Sequence, residues 1–194
     1  MILSYQKIHL QLRKNLMTTG TEIADLKTLN YFPYLDNGLI SEDFQSKIGV
    51  YAIFNQEQEL QFVGYSRDIY LSLKQHLVRQ PDNCYWLKIQ TITRPSRTQL
   101  EEIRLAWIKE NGKTPLGNDS EQGKWTEPID AKLAMTEAEK QEYQSTDDLG
   151  KIKLLKKVSR RVEEAIQEKL KTRGVQMDMR FNPKLKEQGL LDLK

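Results

Sequence analysis

The chain has 194 residues, 38% of them hydrophobic and 29% charged, proportions that suit one principal globular domain with sizeable appendages. No apolar run approaches the ~18 residues that cross a bilayer, and the opening segment lacks the basic-then-apolar order of a secretory signal, so no membrane partner and a cytoplasmic or equivalent reducing compartment are expected. One cysteine, Cys84, and two histidines, His9 and His76, exclude an intramolecular disulfide and a Cys/His zinc site within one chain, and a formal charge of +3 is too small to select a partner.

Ile8, Leu12 and Leu16 recur at helical spacing before Thr18-Thr19-Gly20, which predicts a short helix at the start of a lead-in over residues 1–47. Tyr31, Phe32, Pro33 and Tyr34 are expected to lie irregularly against the main domain before a turn at Asp36-Asn37-Gly38. From Gly49 to Asn55 the β-branched and aromatic content predicts a strand buried on both faces. The polar link Gln56-Glu57-Gln58 then leads to a second strand over Leu60 to Tyr65, and together the two read as a hairpin.

Ser66 or Asp68 can cap a helix through about Val78, with Ile69, Leu73 and Leu77 or His76 on one face. A third strand follows over about Tyr85 to Ile92. Ser96 and Gln99 have capping-box spacing, and Leu100, Ile103 and Trp107 form the inward stripe of a helix ending near Gly112. The reading is thus strand, strand, helix, strand, helix, an α/β (α+β) domain over residues 48–118.

Residues 119–133 are polar and rich in turn formers and read as a linker. Thr136 opens a charged helical stretch, and Asp147 or Asp148 can cap a longer helix to about Arg173, stopped by Gly174. Its apolar face runs Ile152, Leu155, Val158, Val162, Ile166 and Leu170. Alternation of Val175, Met177, Met179 and Phe181 predicts a short half-buried strand within the extension over 134–194.

Four features occur in order in the central domain: Gly49-Val50-Tyr51, Phe62-Val63-Gly64, the helix from Ser66 to His76, and Pro115-Leu116-Gly117-Asn118. This arrangement resembles the GIY-YIG nuclease superfamily, and within it the variant domain joined to monothiol glutaredoxins in plant plastids, which similarly has Phe-Val-Gly followed by Ser-Arg. The resemblance covers about a third of the chain, and the Cys-Gly-Phe-Ser-type site of a glutaredoxin is absent from the residues that follow.

The resemblance implies hydrolysis of a phosphodiester, which needs a base for water, a cation to stabilise the phosphoryl group and a carboxylate-held Mg²⁺ or Mn²⁺. It assigns Tyr51 to the region of the attacking water, with Gly49, Phe62, Gly64 and Asn118 as motif positions and His76 at the end of the first helix. Phe62 keeps the ring of the second-motif tyrosine and loses its hydroxyl. The family's arginine falls on Ser72, so Arg67 is the expected substitute. Glu101 is the expected metal ligand, with Glu102 and Glu110 as alternatives. Cys84 is expected to be a buried small side chain.

Charge distribution adds a separate signal. Residues 150–194 carry 13 Lys/Arg against 6 Asp/Glu, a local excess of 13 − 6 = +7. Lys153, Lys156, Lys157, Arg160 and Arg161 repeat at i, i+3, i+4, i+7, i+8 and form one basic stripe, suited to a nucleic-acid backbone or an acidic protein surface. A solvated helix face is the commoner origin of such a run. Two functions are therefore expected: a nucleic-acid-acting protein with weak metal-dependent DNA endonuclease activity, or a catalytically degenerate scaffold that docks a protein.

Overall fold

The computed structural model describes residues 22–194; the helix expected over residues 2–17 lies outside them. The sheet contains β1 (Phe32–Pro33), β2 (Ile48–Phe54), β3 (Leu60–Ser66) and β4 (Trp86–Ile92) in the order β1-β4-β2-β3. Every neighbouring pair is antiparallel. Tyr51 pairs with Gly64 across the β2–β3 hairpin and with Ile89 on the other side.

Alternation decides which face each residue joins. Tyr51 and Ile53 pack with Phe62, Leu87 and Ile89 under α1 (Ile69–Arg79). Val50, Ala52 and Phe54 pack with Val63 under α2 (Arg97–Glu110), through its Leu100, Ile103 and Trp107. Both faces of β2 are covered, so it reads as an almost unbroken apolar run. Asp68, not Ser66, caps α1 by accepting from the Leu71 amide at 3.1 Å, and Ser66 supports the turn by accepting from the Asp68 amide at 3.0 Å. Ser96 caps α2 by accepting from the Gln99 amide.

Three expectations are corrected outside this unit. Phe32 and Pro33, expected to be irregular, form the edge strand on β4. Residues 119–133 are not a loose linker: they contain α3 (Gln122–Thr126) and β5 (Ile129–Asp130), and Trp125 and Ala131 are buried in the core. Their polar composition hid one apolar anchor and a short pairing partner.

The long helix forms as expected, α5 (Asp148–Thr172), capped by Asp147. It is preceded by α4 (Glu137–Ser145), whose Thr136 and Glu139 complete a capping box. Leu155, Val158, Ile166 and Leu170 face the core together with Leu154 and Ser159, whereas Ile152 is exposed.

Residues 175–181 are the third correction. Met179 and Phe181 are buried and the intervening positions exposed, as alternation predicts, but no strand forms before the single bridge of Phe181 to Leu193. The segment is a strap whose Gln176 amide donates to the Gly38 carbonyl at 2.9 Å. Gly38 has φ +78°, and a Cβ there would stand 2.1 Å from the Gly174 carbonyl oxygen, so only glycine permits this approach. Pairing falls instead to β6 (Leu190–Leu191), which joins β5. The C-terminal third thereby packs into the same core as the sheet and α1.

Candidate functional site

Where β3 forms the sheet edge, a cleft of about 680 Å³ opens between the N-terminal half of α2 and the exposed face of α1. Tyr51, Phe62, Gly64, His76, Glu101 and Asn118 all line it. Of the positions carried over from the family motif, these six come together. Gly49 lies beside them in β2, where a Cβ would stand 2.3 Å from the Gln90 carbonyl oxygen.

The wall formed by β2 and α1 is largely buried, and the charge it carries, that of Arg79, is paired with Asp192. The Tyr51 hydroxyl and His76 Nε2 are 2.9 Å apart and buried. Burial raises the phenol's pKa well above its ordinary value and, with the Arg79 charge as the second cause, lowers the imidazole from 6.5 to about 3. Tyr51 thus keeps its proton beside a neutral ring, and an imidazole with its own proton on Nδ1 would accept the Tyr51 hydrogen bond at Nε2.

Gly64 forms the floor: a Cβ would meet the Phe62 ring at 2.6 Å and the Tyr51 hydroxyl at 2.8 Å. Phe62 in turn stacks on Trp125, centroids 5.1 Å apart and planes 3° from parallel. Position 62 is therefore covered by an aromatic lid from outside residues 48–118. Asn118 holds the edge strand as a neighbouring strand would, accepting from the Val63 amide at 2.7 Å and donating to its carbonyl at 2.8 Å.

The opposite wall, on α2, is charged. Glu101 accepts from Arg104 Nε at 3.1 Å, and this contact holds its carboxyl below the usual range. Arg97 lies one turn before Glu101 on the same wall. The alternatives for Glu101 are elsewhere: Glu102 is exposed outside the cleft, and Glu110 accepts from the Leu26 and Lys27 amides at 2.6 and 2.8 Å, which ties the lead-in to α2.

Arg67 does not reach this cleft. Following Ser66 at the end of β3, it lines a neighbouring hollow. The guanidinium beside the phenol and imidazole is Arg79, which donates to the Trp125 carbonyl at 2.8 Å and to Asp192 at 2.7 Å, with its side chain only 6% exposed. Arg79 is seven residues after Ser72 and three after His76, so all three share one helix face. That spacing is the signal by which it could have been found. Trp125 carried no comparable signal.

Among the described residues no group of three or more His, Cys, Asp or Glu side chains converges. A closed protein cage for a cation is thus absent from them. Magnesium commonly takes one or two carboxylates and completes its shell with water and phosphate oxygens, and Glu101, held anionic on an open wall, fits that single-anchor role.

The basic stripe of α5 is largely engaged within the chain. Arg161 clasps both oxygens of Glu139 at 2.7 and 2.8 Å, Lys157 lies 4.0 Å from the same carboxylate, and Lys156 pairs with Glu187 at 2.8 Å. Lys153 and Arg160 form no ion pair among the described residues. Cys84 is fully buried, and desolvation pushes its thiol up to about 12, so it is inert at neutral pH.

Fold and cleft define a mixed α+β protein in which a buried phenol–imidazole pair, from β2 and α1, lies opposite an Arg/Glu wall beside the β3 edge. The chain matches no protein-family model. It is 37% identical over 84 residues, 41% of its own length, to a chloroplastic bifunctional monothiol glutaredoxin of Arabidopsis thaliana, and it spans 29% of that protein's length. This partial similarity agrees with the plastid-glutaredoxin resemblance read from the motifs. No helix among the described residues is long and apolar enough to cross a membrane.

Proposed function

We propose that residues 48–118 are a GIY-YIG-like domain that takes a nucleic-acid phosphodiester into the β3-edge cleft and hydrolyses it slowly with Mg²⁺ or Mn²⁺. The observation that carries this reading is the meeting of Tyr51, His76, Glu101 and Asn118 in one cleft. A plastid-like location follows from the chloroplastic relative and is part of the same proposal.

The residues divide the work by environment. The Tyr51 oxygen accepts a proton from water as its own proton passes to His76 Nε2, leaving hydroxide to attack phosphorus and expel the sugar oxygen, which takes up a proton from solvent water. An imidazole with a pKa of about 3 is a weak final acceptor at pH 7, so the relay is uphill by several pKa units until phosphate charge enters the cleft. Slow turnover is the consequence. Arg97 and Arg104 face the incoming anion from α2, and Arg79 sets the field around the pair. A divalent ion held by Glu101 would polarise the phosphoryl oxygens.

One observation favours a second reading. Arg79 is already engaged by Asp192, and the family's arginine position holds Ser72, so the fold can instead serve as a scaffold for a protein partner. Nicking of supercoiled plasmid in Mn²⁺ separates the two. The nuclease reading expects slow nicking that Tyr51→Phe abolishes; intact plasmid and single strands with both metals, together with a stable partner on pull-down, would select the scaffold.

A further inference from the structure

Beside the cleft lies a hollow of about 290 Å³, walled by Tyr65, Pro95 and Leu100 and flanked by Arg67, Ser96 and Arg97. Tyr65 and Arg97 line both spaces, so cleft and hollow are continuous across the end of β3. Arg67 and Arg97 are both exposed, and neither forms an ion pair among the described residues, although the Arg97 charge helps to hold the Glu101 pKa down. This contrasts with Arg79 and Arg104 in the cleft, each of which is held by Asp192 or Glu101. Two unpaired guanidiniums thus stand over an apolar, aromatic-walled recess at the mouth of a candidate phosphodiester site.

That combination has a chemical meaning. An arginine pair binds phosphate oxygens, whereas an apolar wall with an aromatic ring takes a base face or sugar. A free monophosphate would use the first and leave the second unused; a protein carboxylate would do the same. Within a duplex the bases are stacked on one another and cannot offer a face to Tyr65.

We propose that this hollow binds the nucleotide next to the scissile one on a single-stranded or splayed nucleic-acid strand, with Arg67 and Arg97 on its phosphate and Tyr65 against its base. The proposal rests on the cleft being a phosphodiester site and adds the form of the substrate. It also gives Arg67 a role other than replacing the arginine absent from position 72. Arg67 binds and orients the strand beyond the reacting phosphate.

The test is fluorescence anisotropy with an end-labelled eight-nucleotide DNA strand in EDTA, repeated across a salt series, using the full chain. Arg67→Ala/Arg97→Ala should weaken binding at least tenfold and flatten the log K against log salt slope by about 0.7, the value for one phosphate on a single strand. Tyr65→Leu should weaken the single strand about tenfold while leaving the weaker binding of the corresponding duplex unchanged. If wild-type protein binds and the arginine pair changes neither affinity nor slope, the hollow is not the site although the cleft reading stands. Equal affinity for strand and duplex, both indifferent to Tyr65→Leu, overturns the single-strand assignment. Absence of binding by wild-type protein to either form removes both readings together.

Discussion

The two walls of the cleft solve the placing of polar groups in opposite ways. On the β2–α1 side, Tyr51, His76 and Arg79 are buried, aligned by short contacts and covered by Trp125 and Asp192 from beyond the central domain. On the α2 side, Glu101, Arg104 and Arg97 belong to a solvated helix, and their one ion pair links residues three apart. The first wall depends on distant parts of the chain to exist; the second depends on little beyond its own helix. Mutation should therefore hurt stability on one side and electrostatics on the other.

Trp125→Ala tests the first half of this contrast most severely. Removing a fully buried indole stacked on Phe62 is expected to cost about 4 kcal/mol, read as a lower urea midpoint, with the Tyr51 environment altered in parallel. Asp192→Ala should follow at about 3 kcal/mol, because it strands a buried guanidinium rather than merely deleting a contact. A loss below about 1 kcal/mol in urea unfolding would mean that Arg79 finds water, and that the wall is more open than the distances imply.

Acidity sharpens the same comparison. His76 has a folded-state value of about 3 against an ordinary 6.5, so between these limits the unfolded chain holds the extra proton and the native chain does not. Its contribution is fully present above about pH 6.5 and declines as pH falls toward 3, by up to ~1.4 kcal/mol per pH unit. Urea unfolding at pH 7 and pH 4.5 should show this slope in the wild type and a shallower one in His76→Gln. The smallest effect belongs to the solvated wall: Arg104→Ala should change stability by less than ~0.5 kcal/mol yet raise the Glu101 pKa toward its ordinary value, measurable by carboxyl NMR titration.

The same division governs what the sequence made legible. The hairpin, α1 and α2 follow from alternation, capping residues and apolar stripes that lie within ten or fifteen residues of one another, so the elements that carry Tyr51 and His76 were legible in order along the chain. Arg67 was misplaced because following the end of β3 aims it past Ser66 into the hollow, while Arg79 reaches the cleft by lying two turns beyond Ser72 on α1. Trp125 sits among Gly, Asn, Ser and Gln, whose local turn preference outweighs one aromatic in any short window. Alternation through 175–181 marked burial correctly and pairing wrongly, since period-two burial requires an extended chain and not a neighbouring strand. The stripe on α5 looked like a binding face because Glu139 and Glu187, which engage Arg161 and Lys156, come from other elements.

The Arg79–Asp192 contact joins residues 113 positions apart. During synthesis the guanidinium leaves the ribosome roughly ten seconds before its counter-ion exists, at ordinary elongation rates. Over that interval the nascent hairpin and its first helix carry an uncompensated cation where the finished protein is dry, a state that disfavours early closure and suits capture by a chaperone. Maturation of this fold is thereby timed by the synthesis of the stretch around Asp192, long after the hairpin and α1.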